Sequence, residues 1–503
     1  MHLLAQADGW VQPNIDYHAL APEIVLAGAI VVILLVDLFL DERQKWATSS
    51  LAGIGLLAAF IPVLTLAVDG GTRVMFGGAY VVDDFSLVLK GLFLLSAYAV
   101  VLISTNYVDE GDYYEGEYYT LLLCSVLGML MISSSRDLVS LFIALELLSI
   151  PAYMLAAWRK RDVKSNEAGM KYFLLGVFAS AVMLYGMSLL YGVTGSTLLS
   201  TIGAELDGSL TAQPIATLAI VFVIVGFAFK VSAVPFHSWA PDTYEGAPTP
   251  VTAFLSVASK AAGFVALLTL VFVGFLGQSD VWEPVFWVLA ALSMTVGNLV
   301  ALRQTNMVRM LAYSSIAQGG FILMPLAVIG ESDDAAQSAL TAVITYLVIY
   351  AVMNIGAFAV VIAVARKTRS GEIASYGGLF SYAPALCVAM TFFLFSLAGT
   401  PPLGGWVAKF VVFRSLLDAG GGWAVGLAVL GVVNSVIALF FYAAVAKEMW
   451  MNPAPDGDVR PIRIPAPLLV TVSGAAVLIV LVGIFPSIVL HFTDLTSLVA
   501  LGS

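Results

Sequence analysis

GFAFKVSAVPFHSWAPDTYEGAPTPVTAFLSVASKAAGF, residues 226–264, places Lys230 and Lys260 within apolar runs on either side of a proline-rich loop. An ammonium group at the centre of a membrane helix costs about 2.5–3.5 kcal/mol on insertion scales. A chain that keeps two such lysines close together is expected to use them. The rest of the sequence is expected to hold these charges at one depth of a membrane.

Composition predicts the class of protein. The chain has 503 residues, is 60% hydrophobic and 11% charged, and has a mean hydropathy of +0.97. Water-soluble domains carry about 25% charged residues, so the chain is predicted to be a polytopic membrane protein. Its net charge of -11 argues against nucleic-acid binding. Cys124 and Cys387 lie too far apart in the sequence to suggest a disulfide framework or an iron–sulfur or zinc site.

Fourteen apolar segments are long enough to cross a bilayer as helices, and the predicted fold class is therefore all-α. Their predicted limits are 22–40, 47–68, 85–105, 118–134, 138–158, 168–193, 215–236, 249–276, 283–302, 306–329, 337–365, 384–417, 423–448 and 467–492.

Basic residues predict the orientation. With both termini on the outer face, the predicted outer loops contain only Arg73 and Arg136. The inner loops then contain fourteen basic residues, as the positive-inside rule requires. These are Arg43, Lys45, Arg159, Lys160, Arg161, Lys164, Arg303, Arg309, Arg366, Lys367, Arg369, Lys447, Arg460 and Arg463.

The sequence hints at an internal repeat. The segments that start at Gly128 and Gly297 both read as two helices joined by a tight polar turn. Units of five helices, spans 4–8 and 9–13, would lie inverted relative to each other. Spans 7 and 12 are interrupted, at Pro235 and at residues 398–405. The predicted divisions are an N-terminal part at 1–117, two five-helix units at 118–276 and 277–450, and a C-terminal part at 451–503.

Four charged residues are predicted to share one depth. Glu146, Lys230, Lys260 and Lys409 lie on four different segments. At about 1.5 Å of rise per residue, each is roughly 13–18 Å from a segment end. That is near the middle of a hydrocarbon core about 30 Å thick. Because one carboxylate cannot neutralise three lysines, structural pairing explains at most two of the four, and a role in ion transfer is predicted.

Other charged residues have plainer explanations. Lys90 and Arg414 lie close to segment ends and are expected to extend toward the interface. Lys171 follows a basic loop, so interfacial placement and function are equally open. His237 would suit a proton relay because histidine titrates near neutral pH, while a hydrogen-bonded loop histidine is an equally good explanation.

The residue types favour protons over metal cations. Sodium and potassium require oxygen ligands, whereas lysine has only donors. Burial disfavours the ammonium form, and a nearby carboxylate favours it. Movement of Glu146 toward or away from Lys230 would therefore switch that lysine between holding and releasing a proton.

Three stretches carry a family resemblance. HSWAPDTYEGAPTPVTAFLSVASKAAGF (His237 to Phe264), LFIALELLSIPAYML (Leu141 to Leu155) and LAGTPPLGGWVAKF (Leu397 to Phe410) resemble the antiporter-like membrane subunits of respiratory complex I. Within these, the subunit N branch of NADH:quinone oxidoreductase is the most similar. The resemblance extends over nearly the whole chain and implies fourteen helices, two inverted repeats and a proton half-channel in each repeat.

The resemblance also implies roles for residues. Glu146, Lys230, Lys260 and Lys409 match the family's glutamate of span 5 and its lysines of spans 7, 8 and 12. Lys171 matches a family lysine of span 6, which raises the expectation that it belongs to the proton relay, together with His237. A lysine at position 409 favours subunit N over the middle subunit of the antiporter-like trio.

The resemblance further implies partners. No cofactor or metal is expected in this chain, and NADH, FMN, iron–sulfur clusters and quinone are expected in partner subunits. Other membrane subunits, including neighbouring antiporter-like subunits, are expected to surround it in the bacterial cell membrane. A subunit of a multi-subunit sodium/proton antiporter, which shares the fold, and a non-transporting membrane scaffold are the alternatives.

Overall fold

The computed structural model describes residues 15–41, 44–111, 115–207, 214–455, 457–494, 496 and 498. Arg43, one of the predicted inner-loop residues, lies outside these ranges.

Within them the chain is mainly helical. The helices of the first half are α1 Ala21–Asp37, α2 Trp46–Asp69, α3 Asp84–Asp109, α4 Glu115–Ser134, α5 Leu138–Ala156, α6 Val163–Thr194, α7 Leu199–Asp207, α8 Pro214–Lys230, α9 Trp239–Gly246, α10 Thr249–Phe254 and α11 Lys260–Thr269. Those of the second half are α12 Ser279–Ala301, α13 Met307–Leu323, α14 Asp333–Thr368, α15 Leu379–Tyr382, α16 Pro384–Ala398, α17 Gly404–Ala419, α18 Gly421–Met451, α19 Ala466–Ile484 and α20 Ser487–Thr493.

Shorter elements complete the chain. π-Helical turns at Leu255–Ser259 and Leu270–Gly274 continue α10 and α11, so that Thr249–Gly274 forms one long helix. An antiparallel hairpin of β1 (Arg73–Met75) and β2 (Tyr80–Val82) joins α2 to α3, which the all-α prediction missed. Its turn needs glycine, since Gly77 has a φ of 67°. The 3₁₀ turns lie at Phe76–Gly78, Leu276–Gln278, Met324–Glu331 and Ile373–Tyr376.

The described residues include eleven helices that are long and apolar enough to cross a membrane, judged by length and composition. α8 and α16 are apolar but shorter, and they are the two elements in which the sequence predicted interruptions. The prediction of a polytopic helical membrane protein is therefore confirmed. Each of the fourteen predicted segments coincides with one or more of the helices α1 to α20, while their number as membrane crossings stays a prediction.

Three helices form the centre of the bundle. The most apolar windows of Thr249–Gly274, Met307–Glu331 and Asp333–Thr368 are 94%, 94% and 89% buried inside the chain. The corresponding windows of α2, α18 and α19 are only 39% buried, so apolar side chains cover their outer faces, as expected of lipid-facing helices. Lys260 lies on the first of the central helices.

Helix pairs α4–α5 and α12–α13 pack through equivalent glycines. A Cβ atom on Gly128 would lie 2.5 Å from the backbone nitrogen of Leu148. A Cβ atom on Gly297 would lie 2.7 Å from the backbone nitrogen of Ala317. Each nitrogen belongs to the residue twenty positions after its glycine, so the two pairs pack in the same register.

The turns of these pairs also match. Nine residues after each glycine, Asp137 and Asn306 accept hydrogen bonds from backbone N–H groups in the first turn of α5 and α13. Such side-chain caps fix where a helix begins. The backbone N–H of the next residue then donates to the segment after the third helix: Leu138 to the Thr197 carbonyl at 2.8 Å, and Met307 to the Gly371 carbonyl at 2.7 Å.

The third helices end alike. α6 and α14 both finish in a threonine whose hydroxyl donates to the carbonyl four residues earlier, at 2.8 Å from Thr194 and 3.2 Å from Thr368. The next residue is left-handed in both cases, with φ of 68° at Gly195 and 50° at Arg369. Two parts of the chain with little sequence identity are therefore built from the same caps and contacts.

We expect Gly128→Ala and Gly297→Ala to destabilise the protein. An added methyl group would push against the backbone of the neighbouring helix, and overpacking of this kind costs about 1–3 kcal/mol. Gly426→Ala on α18 is the matched control, because a Cβ atom added there would have nothing within 4 Å and alanine favours a helix by about 1 kcal/mol. Thermal unfolding of the purified chain in detergent measures the effect. Equal unfolding temperatures for all three variants would contradict the packing described.

Candidate functional site

Lys230 is the last residue of α8, and its side chain is buried. Its Nζ donates to the Ser149 hydroxyl at 2.9 Å and to the Tyr172 hydroxyl at 3.3 Å. Its aliphatic stem packs on Gly263, where a Cβ would lie 3.2 Å from the Lys230 Cγ. Because Gly263 lies one turn after Lys260, the two lysines occupy adjoining positions in the packed core.

The break after α8 positions these partners. The chain leaves the helix through Ser232, with a φ of 59°, and returns at Trp239. The Trp239 indole donates to the Phe229 carbonyl at 3.0 Å and stacks on Tyr172 with 4.3 Å between ring centroids. Trp239 thus both caps the helix and fixes the ring whose hydroxyl contacts Lys230. Since residues 231–238 are not helical, the helical rise used to place Lys230 relative to the inner end of its segment was wrong for this stretch.

Glu146 on α5 is half-buried and accepts a hydrogen bond from the Ser180 hydroxyl at 2.6 Å. Its carboxylate interacts electrostatically with the Lys230 ammonium, but the two side chains hydrogen-bond to different partners. In the conformation described, Glu146 and Lys230 do not form the ion pair that the predicted approach of Glu146 would create.

Lys260 follows directly after the first π-helical turn of its helix, a distortion that is frequent at functional sites. Its Nζ donates to Ser315 on α13, at 2.5 Å to the hydroxyl and 2.9 Å to the backbone carbonyl. Nearby on the same helix, the Ser256 hydroxyl accepts from the Asn354 amide of α14 at 2.7 Å. Each of the three central helices therefore carries polar side chains in this region.

Lys409 lies on α17, beside the break that ends α16. Its Nζ donates to the Ala398 carbonyl at 2.8 Å and to the Ser435 hydroxyl at 3.2 Å, and it lies 4.4 Å from the centroid of the Phe321 ring. The Ala398 carbonyl belongs to the last turn of α16, where carbonyls lack intrahelical donors and the helix dipole favours a cation. Gly399, with a φ of 89°, leaves room for the lysine stem, since a Cβ there would be 2.6 Å from the Lys409 Cδ.

Lys171 lies apart from these groups. Its ammonium pairs with Glu167 and Asp242, both at 2.6 Å, and its side chain is 40% exposed. Arg309 on α13 bridges Asp242 at 2.8 Å and Glu245 at 3.0 Å. This ionic cluster lines a cavity of about 160 Å³ that is bordered by Lys164, Glu167, Ala168, Asp242, Glu245, Gly246 and Arg309.

The cluster ties α9 to α6 and α13. Burial raises the pKa of the Asp242 and Glu245 carboxyls, but their hydrogen bonds to basic side chains outweigh it and leave both below their ordinary values. The donors are Lys171 and Arg309 for Asp242, and Lys164 and Arg309 for Glu245. His237, in the same loop, is half-buried, and burial lowers its pKa, so that its imidazole is neutral near pH 7.

The prediction for Lys90 was wrong. This lysine does not extend to an interface: it is 0% exposed and pairs with Glu23 of α1 at 2.9 Å. Tyr80 of the β-hairpin donates to the same carboxylate at 2.8 Å. The hairpin and α1 enclose the pair, which could not be inferred from the distance of Lys90 to the end of its span. Arg414, by contrast, is exposed, and its guanidinium pairs with Asp418 one turn later.

The sequence did not identify the partners of the buried lysines. Ser149, Tyr172, Ser315 and Ser435 supply hydroxyl acceptors. Their one signal in the sequence is a polar residue within an apolar run, and many such residues in this chain bond only to their own helix. For the Ala398 carbonyl, the only indication in the sequence is the pair of prolines that follows it.

Buried lysines beside discontinuous helices define the class of protein. Broken membrane helices whose ends contact charged groups are typical of ion-translocating membrane proteins. The model of the NADH:quinone oxidoreductase/Mrp antiporter transmembrane family matches residues 135–438. The chain belongs to this family, and the resemblance predicted from the sequence is confirmed.

Individual relatives are similar to this chain over nearly its full length. NADH-quinone oxidoreductase subunit N of Trichlorobacter lovleyi is 40% identical over 487 residues, 96% of this chain and 97% of that protein. Among solved structures, a chain of respiratory complex I from Thermus thermophilus is 32% identical, with a TM-score of 0.77. The match covers 95% of this chain and 100% of that one. A chain of the Mrp complex from Dietzia shares the fold with a TM-score of 0.82 at 21% identity, covering 95% and 96%.

We expect the ionic cluster to make stability depend on acid pH. Carboxyls whose pKa values are lowered by folding stabilise the protein above their unfolded pKa values of about 4. That contribution is lost as the pH falls through the folded values. Asp242→Asn combined with Glu245→Gln should therefore lower the unfolding temperature at neutral pH and flatten its decline in acid. The control is Asp334→Asn, an exposed carboxylate at the start of α14. Wild-type and double-variant curves that run parallel would contradict this assignment.

Proposed function

We propose that this chain is a proton-translocating membrane subunit of NADH:quinone oxidoreductase, of the subunit N type, with a relay through Glu146, Lys230, Lys260 and Lys409. One observation carries the proposal: the three lysines are buried, and their hydrogen-bond acceptors are neutral oxygens. An ammonium group in such surroundings lacks the direct counter-charge that would hold its proton. These amines are suited to receive and release protons.

Proton transfer would proceed between neighbouring amines. Glu146 accepts a hydrogen bond from Ser180 and interacts with Lys230 through its charge. A closer approach of this carboxylate would favour the protonated form of the lysine. Lys230 adjoins Lys260 through Gly263, and Lys260 reaches α13 through Ser315. Lys171 and His237 lie nearer the ionic cluster, where they would serve proton entry. A protonated lysine has no lone pair to offer a metal cation, and sodium requires oxygen ligands, so the set favours protons over sodium.

We also propose a finer architecture for the chain. Two inverted five-helix units at 118–276 and 277–450 would follow an N-terminal part at 1–117 and precede a C-terminal part at 451–503, with fourteen crossings and both termini outside. The matched glycine contacts, caps and helix ends support this division. So do the breaks: Trp239 and Trp406 each lie seven residues after a left-handed residue, Ser232 and Gly399.

The relatives' names support the proposed surroundings. A subunit N of NADH-quinone oxidoreductase belongs to a complex that oxidises NADH and reduces quinone. We place NADH, FMN, iron–sulfur clusters and quinone in partner subunits of a bacterial cell membrane complex. Neighbouring antiporter-like subunits would contact this chain. The redox energy would reach the relay as a change in conformation or electrostatics.

The second candidate is a subunit of a sodium/proton antiporter complex. The shared fold with the Mrp chain favours it, but at 21% identity that likeness concerns the fold alone. Identity of 40% to subunit N over nearly the whole chain favours the first candidate. Co-purification with NADH-oxidising subunits would support complex I, and sodium-dependent proton exchange without NADH oxidation would support the antiporter.

We expect Lys230→Met and Lys409→Met to abolish most NADH-driven proton pumping in membrane vesicles. Methionine fills a similar volume but cannot carry a proton. Arg414→Met on α17 is the matched control, because Arg414 is exposed on the same helix as Lys409. Pumping is measured as dye quenching per NADH oxidised, with assembly checked by purification of the intact complex. Normal pumping by the assembled lysine variants would refute the proposed function.

A further inference from the structure

Gln318 hydrogen-bonds to side chains and backbone that lie between the Lys260 and Lys409 sites. It lies on α13 and is 1% exposed. Its amide nitrogen lies 2.9 Å from the Leu397 carbonyl and 3.4 Å from the Tyr442 hydroxyl. The Tyr346 hydroxyl donates to its amide oxygen. Three neighbouring helices, α14, α16 and α18, therefore converge on one side chain.

The Leu397 carbonyl needs such a donor. In a continuous helix, the carbonyls of Leu397 and Ala398 would accept from the N–H groups of residues 401 and 402. Both of those residues are prolines, which have no N–H group. The Ala398 carbonyl accepts instead from Lys409 at 2.8 Å, and the Leu397 carbonyl accepts from Gln318. The end of α16 is thus held by two side chains.

Gln318 lies one turn after Ser314 and Ser315. Ser315 receives the ammonium of Lys260, and the Ser314 hydroxyl lies 2.5 Å from the Tyr442 hydroxyl. A single turn of α13 therefore contacts Lys260 at one residue and the end of α16, beside Lys409, at another. The position of one lysine relative to the other depends on this turn.

We propose that Gln318 is a positioning residue for the Lys409 site: its amide fixes the broken end of α16 against the helix that receives Lys260. The role rests on the proposed function for its effect on pumping, but its structural part stands independently. An amide does not titrate near neutral pH, so Gln318 holds the geometry of the relay and does not itself carry the proton. Both hydrogen-bonding ends of the amide are needed, as donor to Leu397 and acceptor from Tyr346.

The first test removes the amide. Gln318→Leu in the assembled complex should accelerate hydrogen exchange of the backbone N–H groups within residues 399–405, which are those of all residues but Pro401 and Pro402, by roughly tenfold, which corresponds to about 1.4 kcal/mol. It should also lower protons pumped per NADH. Asn298→Leu is the matched control, since this buried amide donates to the Asn434 carbonyl at 3.1 Å and lies outside the α16 break. It should leave exchange at 399–405 unchanged.

The second test uses a titratable replacement. In Gln318→Glu the protonated carboxyl can still donate to Leu397 and accept from Tyr346, whereas the carboxylate can only accept. The titratable groups that contact position 318 are Tyr346 of α14 and Tyr442 of α18, and the charged groups of the two sites that it joins are Lys260 and Lys409. The pumping of the variant relative to wild type should fall as the pH rises from mildly acidic to mildly alkaline values. A pumping ratio that does not change with pH would contradict the positioning role.

The outcomes separate this inference from the proposed function. Unchanged exchange at 399–405 in Gln318→Leu, or a flat pH ratio for Gln318→Glu, overturns the positioning role even if the lysine variants stop pumping. If Gln318→Leu does not assemble, the pH ratio of Gln318→Glu decides alone. Accelerated exchange in a complex whose lysine variants still pump normally would retain Gln318 as the anchor of α16 and reject the relay.

Discussion

The structure depends on how buried amines and the ends of broken helices satisfy each other's hydrogen bonds away from water. A buried ammonium group needs acceptors, and a helix end has carbonyls that need donors. In this chain the two needs are met together. Pro401 and Pro402 deprive the last carbonyls of α16 of their donors, and Lys409 and Gln318 supply them.

The two halves of the chain use this device differently. Lys230 precedes its break and donates to hydroxyl groups of α5 and α6, whereas Lys409 follows its break and donates to the helix end itself. Lys260 lies between them on one of the three central helices, which continues unbroken but contains π-helical turns. Neutral acceptors for all three leave each amine without a fixed counter-ion. That arrangement suits groups that must change charge during turnover. In a scaffold, it would cost free energy of burial and serve no purpose.

Much of this could be predicted from the sequence because it is encoded locally. Apolar runs predicted the helices, prolines predicted the interruptions of spans 7 and 12, and lysines within apolar runs predicted buried charges. The likeness of the segments from Gly128 and Gly297 predicted a repeat, and both segments indeed pack with equal spacing. Caps such as Asp137 and Asn306 also follow from residue type and position.

The partners could not be predicted, since they come from distant segments. Nothing in the sequence near Lys90 shows that Glu23 and a β-hairpin will enclose it. The distance between Glu146 and Lys230 likewise depends on how α5, α6 and α8 pack. Lys171 resembles an interfacial lysine by position, and only the fold shows that Asp242 reaches it. Side chains that serve as acceptors, such as Ser315, look like any other serine in an apolar helix.

The proposed relay requires that protons pass between these buried amines along a hydrated polar route. An experimental map of the intact complex that shows ordered water tests it most directly. Water molecules bridging Lys230, Lys260 and Lys409 through the hydroxyls of α13 and α18 are the predicted result. A dry apolar barrier between any two of these lysines, in a complex that pumps protons, would contradict the account.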